Sequence, residues 1–377
     1  MDERCVTKVD GMNTTTDMAD IRIDFHTSPV SDEDRALALA TPGFGKVFTD
    51  HMVLARWTTE KGWHDANVTA RQPLSIDPAS AVLHYAQEIF EGMKAYKTAD
   101  GRILLFRPEE NARRFAESAT RMAMPPVPEE LFIKAVETLV RVDKAWIPSG
   151  DASLYLRPFM FANEAFLGVR PAHDYIFCII ASPVGSYFKG GSKAVSVWVE
   201  THYTRAANGG TGAAKCGGNY AASLVAQSEA AKQGCDQVVF LDAAEHRWIE
   251  ELGGMNVFFV MKDGSMVTPP LGGTILPGIT RKSVIAMAKE KGLRVEEKRY
   301  SFEELQQDAA SGRLREAFAC GTAAVLAGIG LIKHPEGEFT IGDGQTGALT
   351  SELRTSLVGM QQGATNDPHG WTHAVEA

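Results

Sequence analysis

The stretch GGTGAAKCGGNY, residues 209–220, sets five glycines within ten positions around a single lysine. Neither a helix nor a strand carries glycine at that density without losing stability, because glycine has the most backbone freedom to lose. The segment is therefore a loop in which main chain can approach a ligand or other main chain closely. Two common phosphate-binding loops are excluded. A P-loop needs Gly before its lysine and Ser or Thr after it, whereas Ala214 and Cys216 flank Lys215. The dinucleotide pattern G-x-G-x-x-G would start at Gly210, and its third glycine position is Lys215 itself. Two readings remain: a lysine confined for Schiff-base chemistry, or a solvated lysine on a flexible surface loop.

The chain is long enough to bury a sizeable core. Its 377 residues are 44% hydrophobic and 23% charged, as in a soluble protein of two domains. Lys and Arg number 38 against 47 Asp and Glu, and the resulting −9 argues against nucleic acid as a partner. The five cysteines are at least 19 residues apart, which gives no zinc spacing and suits reduced thiols in a cytoplasm. Residues 1–20, MDERCVTKVDGMNTTTDMAD, are acidic and lack an apolar core, so they read as a loosely ordered N-terminus rather than a signal peptide. The longest apolar run, Tyr175 to Val184, is too short to cross a bilayer, so no membrane partner is expected.

Strand-like segments are expected at Phe48–Trp57, Arg102–Phe106, Ser153–Arg157, Tyr175–Ser182, Ala194–Glu200, Gln237–Asp242, Trp248–Val260 and Ser265–Thr268. Leu83–Lys97 mixes a helical turn with strand. Helices are expected from Pro108 through Met122, over Glu129–Ala145, over Tyr220–Lys232 before Gly234, and over Arg281–Lys291 before Gly292. In the second, Leu131, Phe132, Ala135, Val136, Leu139 and Val140 recur at three and four residues, the spacing of one buried face. Strands and helices mix without a βαβ rhythm, so the class is α+β. The Gly-, Ser- and Lys-rich PVGSYFKGGSK (183–193) reads as an interdomain linker.

Many segments together resemble the branched-chain amino-acid aminotransferases, pyridoxal-phosphate enzymes of fold type IV. They are FGKVFTDHM (44–52), LHYAQEIFEGMKAY (83–96), SLYLRP (153–158), SPVGSYF (182–188), the glycine-rich loop, EELGGMN (250–256), LPGITR (276–281) and FACGTAA (318–324). With the flexible segment 1–20 set apart, the resemblance implies a small N-terminal domain 21–184, a linker 185–194 and a large cofactor-binding domain 195–377, with the site at the domain interface. It implies pyridoxal 5'-phosphate bound covalently to Lys215, which also moves the substrate proton. Tyr220 would meet the phenolate oxygen and Glu251 the ring nitrogen. Glu250 is an adjacent alternative that faces the other way on a strand. Arg114, Ile279, Thr280 and Thr322 would hold the phosphate, and Arg205 would lie in the cofactor shell.

For the substrate, the resemblance implies walls of Phe44, Tyr85, Phe90, Tyr155 and Tyr187. Arg157 would take the distal carboxylate of glutamate or 2-oxoglutarate, and it shares a strand face with Tyr155 by its i, i+2 spacing. Main-chain N–H groups at Thr322 and Ala323 would take the α-carboxylate with help from Tyr85. The implied activity is transamination of Leu, Ile and Val with 2-oxoglutarate, in a homodimer with a partner loop near the pocket. A D-amino-acid aminotransferase, or an inactive homologue acting as an interaction protein, is the alternative. Ala324 and Ala327 stand where some animal members carry a C-x-x-C pair, so that thiol switch is absent. Cys216 and Cys320 read as packed residues. His369 and His373 have i, i+4 spacing, but Pro368 and Gly370 spoil a helix, so no metal is expected.

Overall fold

The computed structural model describes residues 21–185 and 194–376. These form an α+β fold built on two nine-stranded sheets. The first runs Arg22–Ile23, Gly62–Ala70, His51–Thr58, Asp174–Val184, Ser153–Ala162, Met93–Lys97, Ile103–Phe106 and Thr372–Val375, with Glu88–Phe90 beside Ser153–Ala162. The second runs Ile249–Leu252, Gln237–Leu241, Val195–Glu200, Val325–His334, Leu314–Gly321, Asn256–Met261, Met266–Thr268 and Val295–Glu297, with Gly337–Thr340 beside Val325–His334. The break between the sheets falls across residues 185–194, of which 186–193 lie outside the described residues. One strand returns from the far end of the chain: Thr372–Val375 pairs antiparallel with Ile103–Phe106.

The helix Glu129–Val142 buries all six of its expected apolar positions. Phe132 there meets Phe115 of the helix Pro108–Arg121 at 5.4 Å between ring centroids, and Phe115 meets Phe177 of the first sheet at 5.6 Å. This aromatic core fixes the helix that carries Arg114. The helix Ile279–Glu290 starts two residues earlier than the sequence suggests and ends before Gly292, whose φ of +76° suits glycine. The single strand expected over Trp248–Val260 is two, Ile249–Leu252 and Asn256–Met261. Gly253 and Gly254 allow the turn between them, closed by Leu252 N donating to Met255 O at 2.9 Å. That break brings Asn256 back beside Glu251. The helix expected over Tyr220–Lys232 is likewise two, Gly217–Ala221 and Leu224–Lys232.

Candidate active site

The lysine loop is braced from within by Asn219. Its Nδ2 donates to Thr211 O and Ala214 O, both at 2.8 Å, while Thr211 Oγ1 donates to its Oδ1 at 2.7 Å. The first sheet and its helix then clamp the lysine backbone. Phe90 N donates to Lys215 O at 2.9 Å, and Lys215 N donates to Ser118 Oγ at 3.0 Å. Glu88 accepts from Gly217 N. Two of its glycines leave no space for a side chain: a Cβ on Gly212 would collide with the Thr274 carbonyl, and one on Gly217 with Glu88. From this mount Lys215 Nζ reaches Tyr220 Oη at 2.8 Å and stands 4.8 Å from the Phe90 ring centroid.

Lys215 enters a cleft of about 200 Å³ between the sheets. Glu251 lines it, only 3% exposed. Its Oε1 forms an ion pair with Arg205 Nη2 at 2.7 Å and accepts from Leu276 N at 3.1 Å, and its Oε2 accepts from Asn256 Nδ2 at 3.1 Å. Burial pushes its carboxyl up to about 7, against the lowering pull of the Arg205 charge. Glu250 is turned away from this cleft and accepts from Thr274 Oγ1 at 2.6 Å.

Another part of the wall is cationic. Arg114 is buried, held by Glu91 through Nε at 2.7 Å and Nη2 at 2.8 Å, and donates from Nη1 to Pro277 O at 3.2 Å. Ile279 and Thr280 open the helix whose N-cap is Gly278, so unpaired N–H groups and the positive end of the helix dipole lie in the wall with Arg114. Thr322 and Ala323 line the cleft from the reversal between Leu314–Gly321 and Val325–His334.

The remaining wall is aromatic. Phe44 meets Tyr155 edge-on at 5.3 Å, and Phe90 meets Tyr220 at 5.0 Å. Arg157 sits 4.7 Å from the Phe90 centroid and donates from Nη2 to Tyr155 Oη at 3.1 Å. Its Nε is buried without a hydrogen-bond partner among the described residues. Gly92 makes room here, since a Cβ would run into the Tyr155 phenol.

One expected residue, Tyr85, does not line this cleft. It is 39% exposed and donates to Leu167 O. It lies on the short helix Ala81–Tyr85, tied by a bridge between Ser80 and Ala165 to the loop carrying Leu167. Arg205 stands behind Glu251, paired to it, and lines a small space beside the main cleft with Lys215, Tyr220 and Glu251. Tyr187 lies outside the described residues. Sequence reading also missed Glu91, Asn219 and Asn256. A carboxylate amid the apolar residues of EIFEGM was the signal for Glu91. The four described cysteines are free and buried, and burial pushes the Cys320 thiol up to about 12. Among the described residues no cluster suits a metal; His373 pairs with Glu109 and Glu137.

Residues 88–332 match the family described as amino-transferase class IV, and the chain belongs to the class-IV aminotransferases. A solved structure of the Escherichia coli branched-chain amino acid aminotransferase aligns with a TM-score of 0.72 and 29% identity, covering 85% of this chain and 99% of that one. Another, the Thermobaculum terrenum branched-chain amino acid aminotransferase in its PLP form, aligns at 0.67 and 25%, covering 86% and 98%. The branched-chain-amino-acid aminotransferase of Mycolicibacterium smegmatis is 54% identical over 351 residues, 92% of this chain and 95% of its own length. Within the class, the chain groups with the branched-chain-amino-acid aminotransferases.

Proposed function

We propose that the chain catalyses reversible transamination between branched-chain L-amino acids and 2-oxoglutarate, giving branched 2-oxo acids and L-glutamate, with pyridoxal 5'-phosphate as cofactor. The observation that carries this reading is the sharing of one cleft by Lys215, Glu251 and Arg114.

The donor set fits the cofactor. Lys215 Nζ would take the aldehyde carbon, and Tyr220 Oη, already 2.8 Å from that amine, would meet the phenolate. The buried Glu251 would face the ring nitrogen, where a cationic partner relieves the cost of ionising it. Arg114, the N–H groups of Ile279 and Thr280, and the Thr322 hydroxyl would hold the phosphate. When bound, the cofactor supplies the electron sink that makes the substrate α-proton removable. Once the substrate amine has displaced it from the cofactor, the Lys215 amine would take that proton and return it, as general base and then acid. Glu251 would hold a proton on the ring nitrogen, and Asn256 and Arg205 keep Glu251 aimed.

Phe44, Phe90 and Tyr155 give aliphatic side chains an apolar wall. Arg157, in the same wall, would donate to the distal carboxylate of 2-oxoglutarate. An apolar pocket separates substrates differing by one methylene by only about 1–3 kcal/mol, so Leu, Ile and Val are all expected to react. L-Leucine alone should bleach the holoenzyme's near-visible absorbance, and 2-oxoglutarate should restore it. A D-amino acid succeeding where L-leucine fails would reverse the assignment.

The boundaries 21–184, 185–194 and 195–377 belong to this proposal and are supported by sheet membership, with Thr372–Val375 crossing back. A homodimer is supported by one exposed apolar surface, Leu83, Tyr85, Leu167 and Val169, which would place Tyr85 at the partner's side. A cytoplasmic setting is supported by the free cysteines. Among the described residues no helix is long and apolar enough to cross a membrane.

A further inference from the structure

The turn at 322–325 is unusual in its backbone and in what holds it. Val325 has φ +61°, a left-handed conformation that a β-branched residue rarely adopts unless its surroundings impose it. Two cations grip the carbonyls around it. Lys94 Nζ donates to Ala323 O at 2.9 Å. Arg354 Nη1 donates to Ala324 O at 2.8 Å and Leu326 O at 2.9 Å, bracketing Val325. The cations come from different parts of the fold. Lys94 lies on Met93–Lys97 in the first sheet, directly across from Tyr155. Arg354 lies on the helix Ala348–Gln361, which packs on the second sheet. Both line a second cavity, of about 680 Å³, that shares Ala323 with the active-site cleft.

We propose that Lys94 and Arg354 are positioning residues that hold the 322–325 turn so that its Thr322 and Ala323 N–H groups receive the substrate α-carboxylate. This rests on the reading above that the turn is the α-carboxylate site. Peptide units are planar, so fixing the Ala323 and Ala324 carbonyls fixes the two peptide planes that follow those N–H groups. Lys94 also makes the turn's presentation depend on how the two sheets meet, because it is the first sheet's hold on a turn of the second. The ammonium is retained there although burial, with the Arg354 charge second, pushes its pKa down to about 8.

The test compares single-turnover half-reactions of the holoenzyme with L-leucine and with 3-methylbutylamine, which is leucine without its carboxylate. Wild type should react far faster with leucine. Lys94→Met should lower leucine reactivity about tenfold, the scale of one lost charged hydrogen bond. Its reaction with the amine should change less than twofold, and Lys94→Arg should restore most of the leucine rate. Cofactor absorbance and melting temperature confirm that each variant is loaded and folded. Equal losses on both substrates, or no loss on leucine, would overturn the positioning role alone. A wild type that treats the two substrates alike would overturn the α-carboxylate reading and the positioning role with it. A Lys94→Met protein that fails to load leaves the question to Lys94→Gln, for which the same two results decide.

Discussion

Glu91 and Arg114 meet as a buried bidentate pair, Nε to Oε1 at 2.7 Å and Nη2 to Oε2 at 2.8 Å, with Asn111 Nδ2 adding a third bond to the carboxylate at 2.7 Å. The guanidinium reaches the cleft because a fully buried carboxylate holds it there. Burial raises the Glu91 pKa, but the Arg114 charge and hydrogen bonds outweigh it and keep the carboxyl below its usual range. Glu91→Ala leaves Arg114 buried and uncompensated. Unfolding free energy should fall by about 3–5 kcal/mol, and the apoprotein should bind pyridoxal phosphate more weakly. Urea denaturation and cofactor titration check this; unchanged cofactor affinity would refute the link from Glu91 to the phosphate end.

Although Glu251 pairs with Arg205, burial outweighs the pair, so Glu251 makes stability depend on pH in the opposite sense to a carboxylate whose pKa is lowered, such as Glu91. For Glu251 the ordinary value is 4.5 and the value in the fold is about 7. Between these, the unfolded chain has released the proton and the folded apoprotein has kept it. Stability therefore falls as pH rises from about 4.5 to 7, by about 3 kcal/mol at most from this group. Glu251→Gln should flatten that slope in apoprotein melts. A slope identical to wild type would show that Glu251 is ionised throughout.

Much of this site was legible in the sequence because each expected role sat inside a motif. Lys215, Tyr220, Glu251, Arg114, Ile279, Thr280, Thr322 and Ala323 all line one cleft. The supports were harder to read, because support depends on contacts between distant segments. Glu91 and Arg114 are 23 residues apart, and Lys94 and Ala323 are 229 apart. The break at Gly253–Gly254 was hidden by apolar residues that continue on either side, as they would along one strand. Tyr85 shows the other limit: a motif gives a residue's neighbours in sequence, but not the side of the molecule it faces.

Gly212 is a glycine by necessity. A Cβ there would meet the Thr274 carbonyl and the Ala206 methyl, and Arg205 binds the carbonyls of both Gly212 and Thr274. Gly212→Ala should cost about 1–3 kcal/mol through overpacking and loosen Arg205 from Glu251. Thermal melts should show the loss; an unchanged melting temperature would contradict the packing described.

Arg157 should matter unequally to the two substrates. Arg157→Ala removes a donor for the distal carboxylate of 2-oxoglutarate, while leucine meets mainly the aromatic wall. KM for 2-oxoglutarate should rise about tenfold or more, and KM for leucine by less than threefold. Equal increases would refute a dual-substrate role.

The most direct test traps the bond between cofactor and protein. The holoenzyme is reduced with borohydride, digested and analysed by mass spectrometry. The phosphopyridoxyl mass should appear on the peptide containing Lys215, and should be missing after Lys215→Ala. A label on another lysine, or no label on a fully loaded wild-type protein, would contradict that attachment.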